Sequence, residues 1–162
     1  MVNIITAAKA AVAAYASAIS LASNPSIPYS TTAAAMAELY HPNFTSFTLG
    51  TITVFPDNAF TRAAMESTLV QYNQSGLGTD FRYERSKVEA VSATSAIAWI
   101  TWKIVPPRVR RGSGGGGSLK GWTFTDVYGF RVSADGGNGG WEWSNADDEY
   151  EKLAENYPAF FS

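Results

Sequence analysis

One carboxylate stands alone on an aromatic strand face in residues 120–132, KGWTFTDVYGFRV. Successive strand side chains point to opposite faces, so Trp122, Phe124, Asp126, Tyr128 and Phe130 share one. An acid among rings either meets a donor or has its pKa raised, and both outcomes serve proton transfer. The plainer reading ties Asp126 to Lys103 or Arg131, because structural ion pairs also perturb pKa values. His41 is the one imidazole in the chain. Beside Pro42 it reads as a helix-end residue, where a histidine interacts well with the helix dipole. Its ordinary pKa also makes it a candidate base.

Composition removes several function classes. The chain has 162 residues, enough for one domain (1–162) with a sizeable core and too few for two. A hydrophobic share of 46% is that of a globular chain, not a disordered one. A net charge of −2 supplies no field to gather nucleic acid or an acidic membrane, so neither partner is expected. The chain has no cysteine, which removes disulfides, thiolate metal sites and a cysteine nucleophile. One histidine removes any site or mechanism needing two imidazoles. No metal and no cofactor are expected. Gly112, Gly114 and Gly117 fit G-x-G-x-x-G, but strands flank the match and no helix follows, so phosphate binding fails its structural test. No apolar run is expected to reach the ~20 residues of a membrane span. The apolar start of the chain has no preceding side-chain cation and Lys9 interrupts it, unlike a signal peptide. A cytoplasmic location is the expectation.

The elements that must position these residues follow from pattern. Residues 3–22 are rich in alanine, and Ala8, Val12, Tyr15 and Ile19 form one helical stripe. A second helix is expected over 32–40, capped by Thr31 or Thr32 and stopped by His41-Pro42. Strands follow at 44–49 and, after Gly50, to Pro56. Asp57 or Asn58 caps a third helix that Gly76 and Gly78 end; Met65, Leu69 and Tyr72 mark its apolar side. Residues 81–92, 95–105, 120–132 and 141–143 read as strands, and 146–156 as a short acidic helix. The second of these strands is apolar on both faces, with Ile97 and Trp99 on one and Ile100, Trp102 and Ile104 on the other. It therefore needs two covers. Helices supply one, and a partner subunit, hence a homodimer, is expected to supply the other. Residues 106–120, rich in glycine and containing Arg108, Arg110 and Arg111, read as a flexible hairpin connection within the domain.

The order of three helices and then a long curled antiparallel sheet resembles the NTF2-like (SnoaL-like) cone family. The residues that carry the resemblance are AYASAI (14–19), AELYHPNFTSF (37–47), DVYGFRV (126–132) and GGWEWSN (139–145). The wording is most similar to that of fungal members. The resemblance implies an α+β cone with an apolar pocket between helices and sheet. Tyr40, Tyr72, Trp99, Trp122, Phe124, Tyr128 and Trp143 would line it. Tyr15 falls where ketosteroid-isomerase-like members place a tyrosine that stabilises an oxyanion, and Asp126 where they place a protonated acid. Their proton-abstracting aspartate would fall near Thr48, which is no base. Trp99, Thr101 and Trp143 occupy the positions that epoxide-hydrolase chemistry needs as Arg and Asp, and a two-histidine dehydratase is excluded by count. The implied activity is that of a cofactor-free isomerase, cyclase or dehydratase. Its substrate would be a hydrophobic polycyclic, polyketide-like or terpenoid-like molecule of secondary metabolism. A non-catalytic binder is the alternative, since a fold alone does not choose a function.

Overall fold

Alanine, the strongest helix former, fills helix α1 (Ile4–Ser20). In a computed structural model, which describes residues 3–108, 119–133, 137 and 139–162, Asn3 caps α1 by accepting from the Ile5 and Thr6 amides. Ala8, Val12 and Tyr15 are its buried stripe. With the 3-10 turn Leu21–Ser23, the segment is 20 residues long and apolar enough to cross a membrane by length and composition. That corrects the expectation that no run qualifies; here the stripe packs into the core. Helix α2 (Tyr29–Ala37) starts earlier than its threonines suggest, because Pro28, at φ −61°, is the N-cap. Proline presets the φ of a helix entry, and Thr32 is buried inside the helix instead.

The chain continues through β1 (Tyr40–Thr48), β2 (Thr51–Phe55) and α3 (Asn58–Gln74). It then forms β3 (Phe81–Ala90), β4 (Ser95–Ile104), β5 (Trp122–Arg131), β6 (Gly140–Asn145) and α4 (Asp147–Asn156), and ends in a 3-10 turn, Pro158–Phe161. Asp57 caps α3 by accepting from the Phe60 amide at 2.8 Å. Arg110, Arg111 and the glycine run lie outside the described residues. His41 is in β1, not at a helix end: α2 stops four residues before it, and His41 Nε2–H donates to the Arg131 carbonyl at 3.0 Å.

The six strands run in the order β2-β1-β6-β5-β4-β3. All neighbours are antiparallel except β1 and β6, which are parallel. The sheet expected to be antiparallel is therefore mixed. Strand β6 turns back on β5, and that direction coincides with the direction of β1. Pairing of Asp126 with Ile100, Phe124 with Trp102 and Trp122 with Ile104 sets the concave face, which the helices cover. Trp99 pairs with Val127 and so faces the convex side.

A bulge decides the fate of two tryptophans. The β5–β6 register shifts between Gly129 and Phe130, so Trp141 pairs with Phe130 while Trp143 pairs with Gly129. Strict alternation would put both indoles on one face. The extra residue, Glu142, sends Trp141 into the core, where it is fully buried, and Trp143 to the convex side. Trp143 and Trp99 are thus removed from the expected pocket lining. The Trp143 indole lies across Gly129, where an added Cβ would fall 2.0 Å from its Nε1.

Gly129→Ala should therefore force the indole aside and lower stability by about 1–3 kcal/mol, read as a shift in the urea midpoint. Most of that loss should vanish in a Trp143→Ala background.

Candidate active site

The concave face and the helices enclose a cavity of about 200 Å³. Strand β5 supplies Phe124, Asp126 and Tyr128; β4 supplies Trp102; β1 supplies Tyr40, Ser46 and Thr48; β6 supplies Ser144. The helices add Tyr15 and Ile19, Met36, Met65, Leu69 and Tyr72, and from α4 Glu149 and Tyr150. Asp126, Tyr15, Tyr40, Tyr72, Phe124 and Tyr128, singled out from sequence, all meet here. Trp122 shares their face but sits at the strand end, opposite Ile104 and outside the lining, because the cavity begins one pleat further along. His41 is also outside the lining, held by the Arg131 carbonyl. Arg131 is engaged by Glu142 at 2.9 Å, and Lys103 pairs with Thr123 on the convex side. Neither is Asp126's partner, so the ion-pair reading of that acid is corrected.

The partner is a second acid. Glu149 lies in hydrogen-bond contact with Asp126, and its Oε1 accepts from the Tyr72 hydroxyl at 2.6 Å. The Tyr128 hydroxyl donates to Asp126 Oδ2 at a long 3.4 Å. Asp126 is 3% exposed, and its Oδ1 meets no N–H or O–H donor among the described residues. Buried Asp126 and half-buried Glu149, in contact, resist ionising together, and one proton between them satisfies both. Burial, and then the Glu149 charge, hold Asp126 well above the usual carboxylate range. Burial raises Glu149 as well, against the opposing effect of hydrogen bonds from Tyr72 and Asp126. The proton therefore belongs on Asp126, with Glu149 as the carboxylate that accepts from two donors.

The phenols extend this arrangement. The Tyr40 hydroxyl donates to Tyr15 Oη at 2.9 Å, and Tyr15 and Tyr128 are hydrogen-bonded in turn. Burial pushes Tyr15 up to about 12 and raises Tyr40, Tyr72 and Tyr128 as well, so all four are neutral O–H groups near neutrality. The Tyr15 ring packs edge-on against Tyr128 at 5.5 Å and Trp102 at 5.6 Å, which fixes where its hydroxyl points. The hydrogen bonds thus link Tyr40, Tyr15, Tyr128, Asp126, Glu149 and Tyr72 along the cavity wall. Thr48 lines the cavity but offers only a hydroxyl. Among the described residues no group of three potential metal ligands gathers.

Glu149 and Trp102 escaped sequence reasoning as site residues. Trp102 carried a signal, since it shares a strand face with Ile100 and Ile104. Glu149 carried almost none: ADDEYEKLAEN looks like a solvated acidic helix. Its placement comes from tertiary contacts, with Asp148 accepting from the Thr125 amide at 2.6 Å and Asp147 from the Leu49 amide at 2.5 Å.

No protein-family model matches the sequence, and no curated protein matches it. Solved structures do. A ketosteroid isomerase-like protein from Erwinia carotovora atroseptica SCRI1043 superposes with a TM-score of 0.57 at 15% identity, over 87% of this chain and 92% of the other. A putative polyketide cyclase from Xanthomonas campestris pv. campestris gives 0.55 at 16%, over 94% and 97%. An NTF2-like protein with a cystatin-like fold from Novosphingobium aromaticivorans gives 0.53 at 16%, over 86% and 78%. At such identities the likeness shows the fold: this is an NTF2-like, cystatin-like α+β cone, with helices packed on a curled mixed sheet. The source organisms lend no support to the fungal resemblance.

The acid pair makes stability depend on pH. Asp126 binds its proton more tightly in the folded chain than at its ordinary value of 3.8. That contribution is complete below pH ~4 and is lost as pH rises through the raised folded value. Thermal melts between pH 5 and pH 9 should therefore show a falling Tm. Asp126→Asn, neutral at every pH, should flatten the fall.

Proposed function

We propose that the protein is a cofactor-free acid–base enzyme of the isomerase, cyclase or dehydratase type. Its substrate would be a hydrophobic, ring-bearing small molecule of polyketide or terpenoid kind. The observation that carries this reading is the contact between Asp126 and Glu149 in a cavity otherwise walled by rings, aliphatic side chains and hydroxyls. Two neighbouring acids whose environments push their proton affinities apart supply one acid and one base at the same pH. Desolvating such a pair costs stability, and acid–base chemistry is a use that offsets the cost. The names of the two fold neighbours, ketosteroid isomerase-like and polyketide cyclase, support the same reaction class.

In this mechanism the Glu149 carboxylate removes a proton from the carbon beside a substrate carbonyl. The negative charge develops on the carbonyl oxygen; the Asp126 O–H turns to it from Glu149, and the Tyr15 O–H turns to it from Tyr128. Tyr40, by donating to Tyr15, strengthens that donor. Glu149 then returns its proton to another carbon for isomerisation. Alternatively, the enolate attacks a second carbonyl for cyclisation, or expels a β-hydroxyl, protonated by the acid, as water. Glu149 thus takes the role of the base that the chain lacks at Thr48.

Exchange of α-hydrogens of cyclic ketones in D2O, followed by proton NMR, reads the first step alone. Glu149→Gln should cut the exchange rate by about 100- to 10,000-fold, with Asp126→Asn in the same direction. Ketone affinity should change only a few-fold in both. The wild-type rate should rise as Glu149 ionises above its ordinary 4.5 and fall again when Asp126 loses its proton, a bell-shaped profile. Exchange no faster than in buffer, or unaffected by Glu149→Gln, would reject the reading.

We propose a second copy of the chain as the partner of the convex face. Phe47, Ile52 and Val54, exposed by 38%, 65% and 52%, lie side by side on the convex face. The half-buried Trp143, Val127 and Trp99 continue the surface. Contiguous apolar surface of this kind marks an interface, and a twofold dimer is the commonest soluble assembly. Sedimentation equilibrium should give twice 17.4 kDa for the wild type and a shift to monomer for the Ile52→Asp, Val54→Asp double variant.

A further inference from the structure

Charge and size together restrict what the cavity accepts. Among the described residues no Lys, Arg or His side chain lines it. Its ionisable lining is Asp126, Glu149 and the tyrosines Tyr15, Tyr40, Tyr72, Tyr128 and Tyr150. A ligand carboxylate or phosphate would bring another negative charge beside the acid pair, with no cation to offset it and little water. The volume of about 200 Å³ is modest. It exceeds the ~150 Å³ of a cavity that holds benzene and falls short of the ~300–1,000 Å³ of drug-sized sites. Much of the remaining lining is apolar, with Met36, Met65, Leu69, Phe81, Trp102 and Phe124 among it, and such side chains pack well against rings. The polar groups are contiguous, each hydroxyl donating to the next oxygen along the wall, so a ligand oxygen is held by a hydrogen that Tyr15 or Asp126 redirects from its neighbour.

We propose that the cavity selects a compact, uncharged ketone of one or two rings and turns away carboxylates, phosphates and four-ring ketones. This replaces the polycyclic expectation raised by the family resemblance. It rests on the acid–base reading for the ketone oxygen; the charge and size limits come from the lining itself. An ammonium ligand would suit the Glu149 carboxylate and is the competing occupant that the titration must reject.

Isothermal titration of the full chain at pH 7.5 tests the proposal with four probes. They are 2-tetralone, 2-naphthoate, 2-aminotetralin and the four-ring androst-4-ene-3,17-dione. The expected result is saturable tetralone binding at least tenfold tighter than each of the others. Equal or tighter binding of any of the other three, or no saturable tetralone binding, overturns it. The Asp126→Asn, Glu149→Gln double variant keeps the shape and removes the charge. It should bring naphthoate to within about threefold of tetralone, and continued rejection of naphthoate would overturn the charge argument. Because no turnover is read, the two readings fail separately. Selective tetralone binding without α-hydrogen exchange would retire the enzyme and leave the selectivity. Exchange on large ketones with tetralone refused would do the reverse.

Discussion

The contact between buried Asp126 and half-buried Glu149, whose burial and mutual charge favour one shared proton, organises this molecule. An unpaired charge at Asp126 would be costly in so dry a place, and a second charge at Glu149 would add repulsion. The surroundings answer both difficulties. Tyr72 and Tyr128 donate to the pair, and the one shared proton removes the repulsion. Helix α4 must then be held against the sheet with little freedom. Asp147 ties its first turn to the Leu49 amide in the β1–β2 turn and Asp148 to the Thr125 amide of β5, and just past its end the Tyr157 hydroxyl donates to the Ser75 carbonyl at 2.7 Å. A helix that is mostly polar in sequence is in this way fixed by its acids rather than by a broad apolar face; Leu153 is its one buried residue.

How much of this was legible in the sequence depends on the range of the interaction. Period-two alternation alone placed Phe124, Asp126 and Tyr128 on one face, and helical spacing placed Tyr15 in the buried stripe of α1. Those are local rules, and they held. Alternation failed at Trp143, because a bulge at Glu142 inserts one residue and reverses the sides from there on. The start of α2 was misjudged because Pro28 outweighed two threonines as the entry point. The parallel pairing of β1 with β6 joins segments about a hundred residues apart, and no local pattern encodes it. Glu149 is the most instructive case, since its partners Asp126 and Tyr72 lie 23 and 77 positions away in the chain. A helix rich in acids normally faces water, and only the tertiary fold turns one of them inward.

The two acids of this cavity originate on different kinds of element. One stands on the central part of the sheet, where packing on both sides fixes its position. The other arrives on the last helix, an element that can be repositioned without disturbing strand pairing. One carboxyl group on a central strand and the other on a separately anchored helix allow the geometry between them to be tuned by changes outside the core.

The middle of the sheet is also its latest part to be made. Strand β6 sits between β1 and β5, yet it is built from residues 140–145 of 162. During synthesis from the N-terminus, the β1–β2 hairpin and the β3–β4–β5 meander are complete before the strand that joins them exists. Each piece must wait with one edge unsatisfied, and the two unite only when residues 140–145 emerge. Such dependence on distant contacts slows folding and leaves strand edges open to wrong partners in the interval. Loss of residues 140–145 would accordingly split the sheet in two rather than trim its border.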